Sequence, residues 1–210
     1  MEHLHSVYHF PNVNSLNPCA WCPANSVNWL WNDFRPDADC FARTFSANRW
    51  RRFWHGRIHI LFTLPGVSIL TAQIDLMHVK HLGSDKYMYG SVLYLLCNHI
   101  MSLPSPLENL KQIAREIRTY YRLNHTQVRY RYMNRLSMFT PKNGFPCLRG
   151  RAAEVKHFGK ALEATWRRHM TEGREIHDKI ALMLQMNNQL ETILDRHKGN
   201  FKVLDLMPQY

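Results

Sequence analysis

The sequence predicts a mainly α-helical protein with a small, irregular N-terminal region and one or two short strands. Three observations carry that prediction. Beyond Ser84, apolar residues recur at helical spacing in one run after another. Glycine is scarce, nine in 210 residues, which argues against a turn-dense all-β fold. The first 66 residues, by contrast, are broken by Pro11, Pro18, Pro23 and Pro36 and by many Asn and Ser, yet they hold five of the six tryptophans. Three regions follow: a loop-rich stretch over 1–66, a strand–helix unit over 67–103 and a helical region over 104–210.

Taken in order, Leu64-Pro65-Gly66 reads as a turn, and 67–75 (Val-Ser-Ile-Leu-Thr-Ala-Gln-Ile-Asp) as a short buried strand ending in an acid. From Ser84 a helix follows with Met88, Val92, Leu95 and Leu96 on one face, ending before Pro104. Ser105-Pro106-Leu107-Glu108 is a helix start: a capping serine, proline in the first turn, then an acid. That helix runs to about Leu123, with Leu107, Leu110, Ile113, Ala114 and Ile117 apolar. A shorter helix is expected around Gln127–Phe139, a loop over Thr140–Pro146, and one helix over Gly150–Met170 carrying Ala153, Val155, Phe158, Leu162 and Trp166. The last helix covers Glu172–His197. Its residues Ile176, Ile180, Met183, Asn187, Leu190 and Leu194 alternate steps of four and three, a heptad seam with one core Asn. Such a seam serves either a homodimer through residues 172–198 or an ordinary amphipathic helix packed on its own domain.

Composition bounds the function. Lys and Arg number 27 against 16 Asp and Glu, a formal charge of +11. That surplus favours an acidic partner: nucleic acid, an acidic protein or an anionic membrane face. No stretch reaches the roughly 18 apolar residues that span a membrane, and the polar, His-rich start does not read as a signal peptide. Five cysteines, an odd number without a signal peptide, argue against a secreted disulfide scaffold. Cys97, in an apolar run, reads as a small core residue.

Four constellations could carry chemistry. In Pro18-Cys19-Ala20-Trp21-Cys22-Pro23, two cysteines separated by two residues aim both thiolates at one point, as tetrahedral zinc requires. This makes the N-terminal region zinc-knuckle-like. His59 and either Cys40 or His55 would complete the ligands of a structural Zn²⁺; a redox dithiol or two unrelated core residues are the alternatives. Second, Arg49-Trp50-Arg51-Arg52-Phe53-Trp54-His55-Gly56-Arg57 interleaves arginines for phosphates with aromatics that can stack on bases, and Arg129-Tyr130-Arg131-Tyr132, Arg149 and Arg151 add positive charge. The alternative is aromatics facing inward and arginines facing solvent. Third, Asp75-Leu76-Met77-His78 ends the predicted strand, where a carboxylate could hold Mg²⁺ or Mn²⁺; a strand-end acid capping a turn is the commoner case. Fourth, Glu154 lies in the first turns of a helix, as an acid of a metal site or simply as a partner of the helix dipole.

Together these segments resemble DDE transposases of the CACTA (En/Spm) kind. The resemblance rests on Cys19-Ala20-Trp21-Cys22, on Ile74-Asp75-Leu76-Met77-His78-Val79, and on Met88-Tyr89-Gly90-Ser91-Val92-Leu93-Tyr94-Leu95, and covers about residues 17–96. It implies part of an RNase H-like transposase core joined to a helical region, in an enzyme class where three acids hold two divalent metals for attack on a DNA phosphodiester. In that family the first two acids precede the CxxC knuckle. The resemblance therefore implies the C-terminal part of a transposase or a transposon-derived remnant, with Asp75 and His78 in an accessory signature and Glu154 as a third acid by position. The expected function is DNA binding without complete strand-transfer activity, in the nucleus, with Zn²⁺ as a structural ion and Mg²⁺ or Mn²⁺ only in a catalytically active form. Two other readings stay open: a complete metal-dependent nuclease using Asp75, Glu154 and one of Asp33, Asp37, Asp39 or Asp85, and a protein-interaction module pairing through the last helix.

Overall fold

The computed structural model describes residues 19, 21–25, 27, 43, 45–53, 60–67, 76–131, 133–140 and 144–196. Helices dominate them, and no β-strand occurs among the described residues. The strand expected over 67–75 lies, apart from Val67, outside them. The chain forms two units, Met1–Asp75 and Leu76–Tyr210. Among the described residues no helix is long and apolar enough to cross a membrane.

In the first unit, α1 (Ala47–Phe53) is followed by a 3₁₀ turn, Ile60–Thr63. Trp50 from α1 and Phe62 from the 3₁₀ turn meet edge to face, with ring centroids 4.9 Å apart, and both are buried. Such a pair adds about 0.5–1.5 kcal/mol beyond the area it buries.

The second unit opens with a wide π-type helical stretch, Met77–Asp85, kinked at Gly83. It runs into α2 (Lys86–Leu95), which widens again over Leu96–Ile100. Next come α3 (Pro106–Leu123), α4 (Ala152–Lys156), α5 (Gly159–His169) and α6 (Glu175–Arg196). The cap expected at Ser105 is present: its Oγ accepts the Glu108 backbone N–H at 3.2 Å. The core is a single cluster from Tyr89 to Leu184, built on Leu93, Leu96, Leu110, Ile113, Ile117, Leu162 and Trp166, none of them exposed. Asn109 is buried within it and fully used. Its Nδ2 donates to the carbonyls of Cys97 (2.8 Å) and Met101 (3.1 Å), and its Oδ1 accepts the Leu103 N–H, which fixes the turn into α3.

Gly90 has a packing reason to be glycine. A Cβ there would sit 2.7 Å from the backbone nitrogens of both Cys147 and Leu148. Those nitrogens belong to a loop segment pinned to the helix by the bond from Leu148 N–H to Lys86 O, 2.8 Å.

Three sequence expectations change here. The helix around Gln127–Phe139 reduces to a 3₁₀ turn at Leu136–Met138, and before it the Tyr130 ring is drawn onto Phe158, with centroids 5.6 Å apart, while Arg129 and Arg131 face out. The helix over Gly150–Met170 breaks at His157–Phe158 into α4 and α5. In α6 the buried face is His177, Ala181, Leu184, Asn188 and Glu191, one position on from the heptad seam. Of the seam residues, Ile176, Met183 and Leu190 are exposed.

Candidate functional site

The Cys19–Cys22 turn is built by its own backbone. Trp21 N–H donates to Cys19 Sγ at 3.4 Å, and Phe45 N–H donates to Trp21 O at 2.7 Å, which ties the turn to the start of α1. Cys22 is buried and Cys19 half-buried. A hydrogen bond from Cys22 stabilises the Cys19 thiolate. Burial opposes this and the backbone N–H groups of Trp21 and Cys22 support it, so the Cys19 pKa falls to about 6. The turn is thus ready to offer a thiolate at neutral pH, the form that binds metal or attacks an electrophile. We expect the alkylation rate of Cys19 by iodoacetamide to be half-maximal near pH 6 and flat above pH 7, while Cys97, whose thiol burial pushes up to about 12, stays inert. A Cys19 profile rising through pH 8–9 would show an ordinary thiol. Of the other expected zinc ligands, Cys40, His55 and His59 lie outside the described residues.

Of the expected catalytic set Asp75, His78 and Glu154, the last two are among the described residues. Asp75 is outside them. His78 is exposed on the π-type stretch. Glu154 caps a helix: its Oε2 accepts the Arg151 backbone N–H at 2.9 Å at the start of α4.

The expected nucleic-acid residues divide. Arg49 and Arg52 are exposed on α1, with the Arg49 guanidinium 5.8 Å from the Phe45 ring centre. Trp50 is corrected from a stacking residue to a core residue, since 3% exposure leaves no ring face for a base. The Arg51 side chain, Trp54 and Arg57 lie outside the described residues. Arg149 and Arg151 are exposed. In the Arg-Tyr-Arg run, Tyr130 packs on Phe158 with centroids 5.6 Å apart while Arg129 and Arg131 face solvent.

A stronger basic feature lies on α3. Lys111, Arg115, Arg118 and Arg122 are all exposed. Their spacing of four, three and four puts them on one helix face. Lys111 pairs with Glu108 at 2.6 Å and Arg115 donates to Gln112 Oε1 at 2.7 Å. Among the described residues, Arg115, Arg118 and Arg122 form no ion pair, nor do Arg129, Arg131, Arg135, Arg149 and Arg151 in the chain that follows. The i, i+4, i+7, i+11 pattern is visible in the sequence, but the interleaved Arg-aromatic runs are the louder signal.

A second feature is a buried ionic cluster where the π-type stretch meets α4 and α6. Lys80 Nζ lies 2.7 Å from Asp85 Oδ2 and 3.1 Å from Glu191 Oε2. His81 Nε2 lies 3.0 Å from Glu191 Oε2, and Lys156 Nζ reaches Glu191 Oε1 (3.1 Å) and Asp195 Oδ1 (2.6 Å). Burial alone would raise the Glu191 carboxyl pKa, but the bonds from His81, Lys80 and Lys156 outweigh it and hold it down at about 2. Tyr89, beside the cluster, has its hydroxyl pKa pushed up by burial and by the Asp85 charge, and its oxygen accepts from Asn187 Nδ2 at 2.8 Å. A cleft of about 510 Å³ borders the cluster, lined by His125, Lys156, His157, Lys160, Glu191 and Asp195 among others. Its sequence signal is polar residues set at helical spacing: His81 and Asp85 four apart, then Asn188 and Glu191 three apart.

No protein-family model, no curated protein and no solved structure matches the chain.

Proposed function

We propose that this chain is a transposon-derived DNA-binding protein that grips the phosphate backbone with α3 and the arginines that follow it. The observation that carries this reading is the exposed stripe Lys111, Arg115, Arg118 and Arg122, continued by Arg129, Arg131, Arg135, Arg149 and Arg151. From Lys111 to Arg122 the helix rises roughly 16 Å, the axial length of about five phosphates on one DNA strand. The CxxC turn fits a structural Zn²⁺, with Cys19 and Cys22 as two of its ligands, and the ion would add folding free energy to a loop-rich unit.

Duplex DNA affinity is expected to fall steeply between 50 and 200 mM salt. Each phosphate neutralised contributes roughly 0.9 to the slope of log K against log salt, so replacing Arg115, Arg118 and Arg122 by Gln is expected to reduce that slope by about 3. A flat salt response in the wild type sinks the reading. Tighter binding to RNA or to an acidic protein than to DNA redirects it, and metal-dependent nicking of a plasmid replaces it with the nuclease.

A second reading, self-association through α6, is favoured by one observation. Ile176, Leu182, Met183, Met186, Leu190 and Ile193 are all exposed on that helix, on the side away from its buried face. Acids Glu175 and Asp178 stand at its start and Arg196 at its end, so an antiparallel pair of copies would match opposite charges. Sedimentation that stays monomeric at all concentrations removes this reading.

A further inference from the structure

The Lys80–His81–Asp85–Glu191 cluster holds more coordinating atoms than its ion pairs use. One donor atom each from His81, Asp85 and Glu191 lies within 4.8 Å of the others, and the His81 Nε2 and Glu191 Oε2 atoms are 3.0 Å apart. Donors bound to one divalent ion at about 2.1 Å stand roughly 3–3.5 Å from each other, so modest side-chain shifts bring these three to a common centre. Asp85 is 1% exposed. Its Oδ2 meets Lys80, but its Oδ1 has no hydrogen-bond donor among the described residues. A buried carboxylate oxygen without a partner is costly and marks a place where a cation would be held. Charge points the same way. Among the described residues, the carboxylates of Asp85, Glu191 and Asp195 face the ammonium groups of Lys80 and Lys156, with the imidazoles of His81 and His157 alongside. Glu191 also lines the neighbouring cleft, which gives a small ion a way in.

We propose that this cluster is a divalent-cation site with His81, Asp85 and Glu191 as its protein ligands. Lys80 is the built-in competitor, because its ammonium bridges the same two carboxylates an ion would bridge. Binding exchanges one cation for another, so affinity depends on how readily Lys80 gives way. One imidazole with two carboxylates suits Mn²⁺ or Zn²⁺. Its ligands are other residues than Cys19 and Cys22, and the proposal does not depend on the DNA-binding reading.

Mn²⁺ is the probe of choice, since the thiolates of the CxxC turn prefer softer ions. Electron paramagnetic resonance titration of the full chain is expected to show about one bound Mn²⁺. Asp85→Asn should weaken that binding at least tenfold, and Lys80→Met should tighten it at least tenfold. Lys80→Met leaves the buried Asp85 without its ammonium partner and Glu191 with one fewer, and should melt at a lower temperature than wild type, with Mn²⁺ restoring its midpoint. That rescue carries the same conclusion if Asp85→Asn does not fold. Absence of Mn²⁺ binding to folded wild type, with no rescue of Lys80→Met, overturns the proposal and leaves a closed ion-pair network. Binding unaffected in folded Asp85→Asn places the ion elsewhere and overturns it as well.

Discussion

Trp166→Ala is expected to cost the helical unit about 4 kcal/mol, a large share of the 5–15 kcal/mol that holds a typical domain folded. Trp166 has no exposed surface and lies on α5. Its indole N–H donates to His177 O at 3.1 Å, and its ring meets the His177 ring edge-on at 5.6 Å. Truncation therefore opens a cavity and strips the His177 carbonyl of a donor at the first turn of α6. Urea denaturation followed by circular dichroism measures it. The control is Leu182→Ala on the outer face of α6, at 54% exposure, expected to stay within about 0.5 kcal/mol of wild type. Equal effects at the two positions would mean that α6 packs the other way round.

Glu191→Ala is expected to cost about 3–5 kcal/mol, for an electrostatic reason. Glu191 is the hub that pairs Lys80, His81 and Lys156. Removing one partner of a buried ionic network leaves the remaining charges desolvated and uncompensated, which costs far more than the net contribution of the intact pairs. The pH dependence has a definite sign. The Glu191 carboxyl pKa is held at about 2 in the fold, below its ordinary 4.5. A depressed carboxyl contributes stability above its unfolded pKa and loses it as pH falls through the folded one. The stability gap between wild type and Glu191→Gln should therefore be full at pH 6–7 and close between about pH 4.5 and 2. A gap that stays constant down to pH 3 would show that the cluster acts through shape and not through charge.

Legibility in the sequence differs from element to element. The start of α3 was legible because Ser105-Pro106-Leu107-Glu108 encodes a cap in four consecutive residues, and the bond from Glu108 N–H to Ser105 Oγ needs nothing else. Cys97 was legible as a core residue because an apolar run surrounds it. The CxxC turn was legible because its N–H to sulfur bond is local. The non-helical course of 127–131 was not, since the Arg-Tyr-Arg run suits a helix surface and a loop alike until Tyr130 finds Phe158.

The last helix shows where such legibility stops. Half of its heptad seam, Ile176, Met183 and Leu190, is exposed, while the inner face carries His177, Asn188 and Glu191 beside Ala181 and Leu184. Hydrophobic periodicity assumes that buried means apolar. Here Thr171 N–H donates to His177 Nδ1 at 3.0 Å, Glu163 accepts from Asn188 at 2.7 Å, and Lys80, His81 and Lys156 neutralise Glu191. Partners supplied from outside the helix make polar burial possible. By itself the sequence determined the helical class, the cap at Ser105, the positive charge and the cysteine turn, because each is written in neighbouring residues. Only the tertiary structure decided which face of α6 is inside, why Gly90 must lack a side chain, and that His81, Asp85 and Glu191 meet, because each depends on groups brought together from distant parts of the chain.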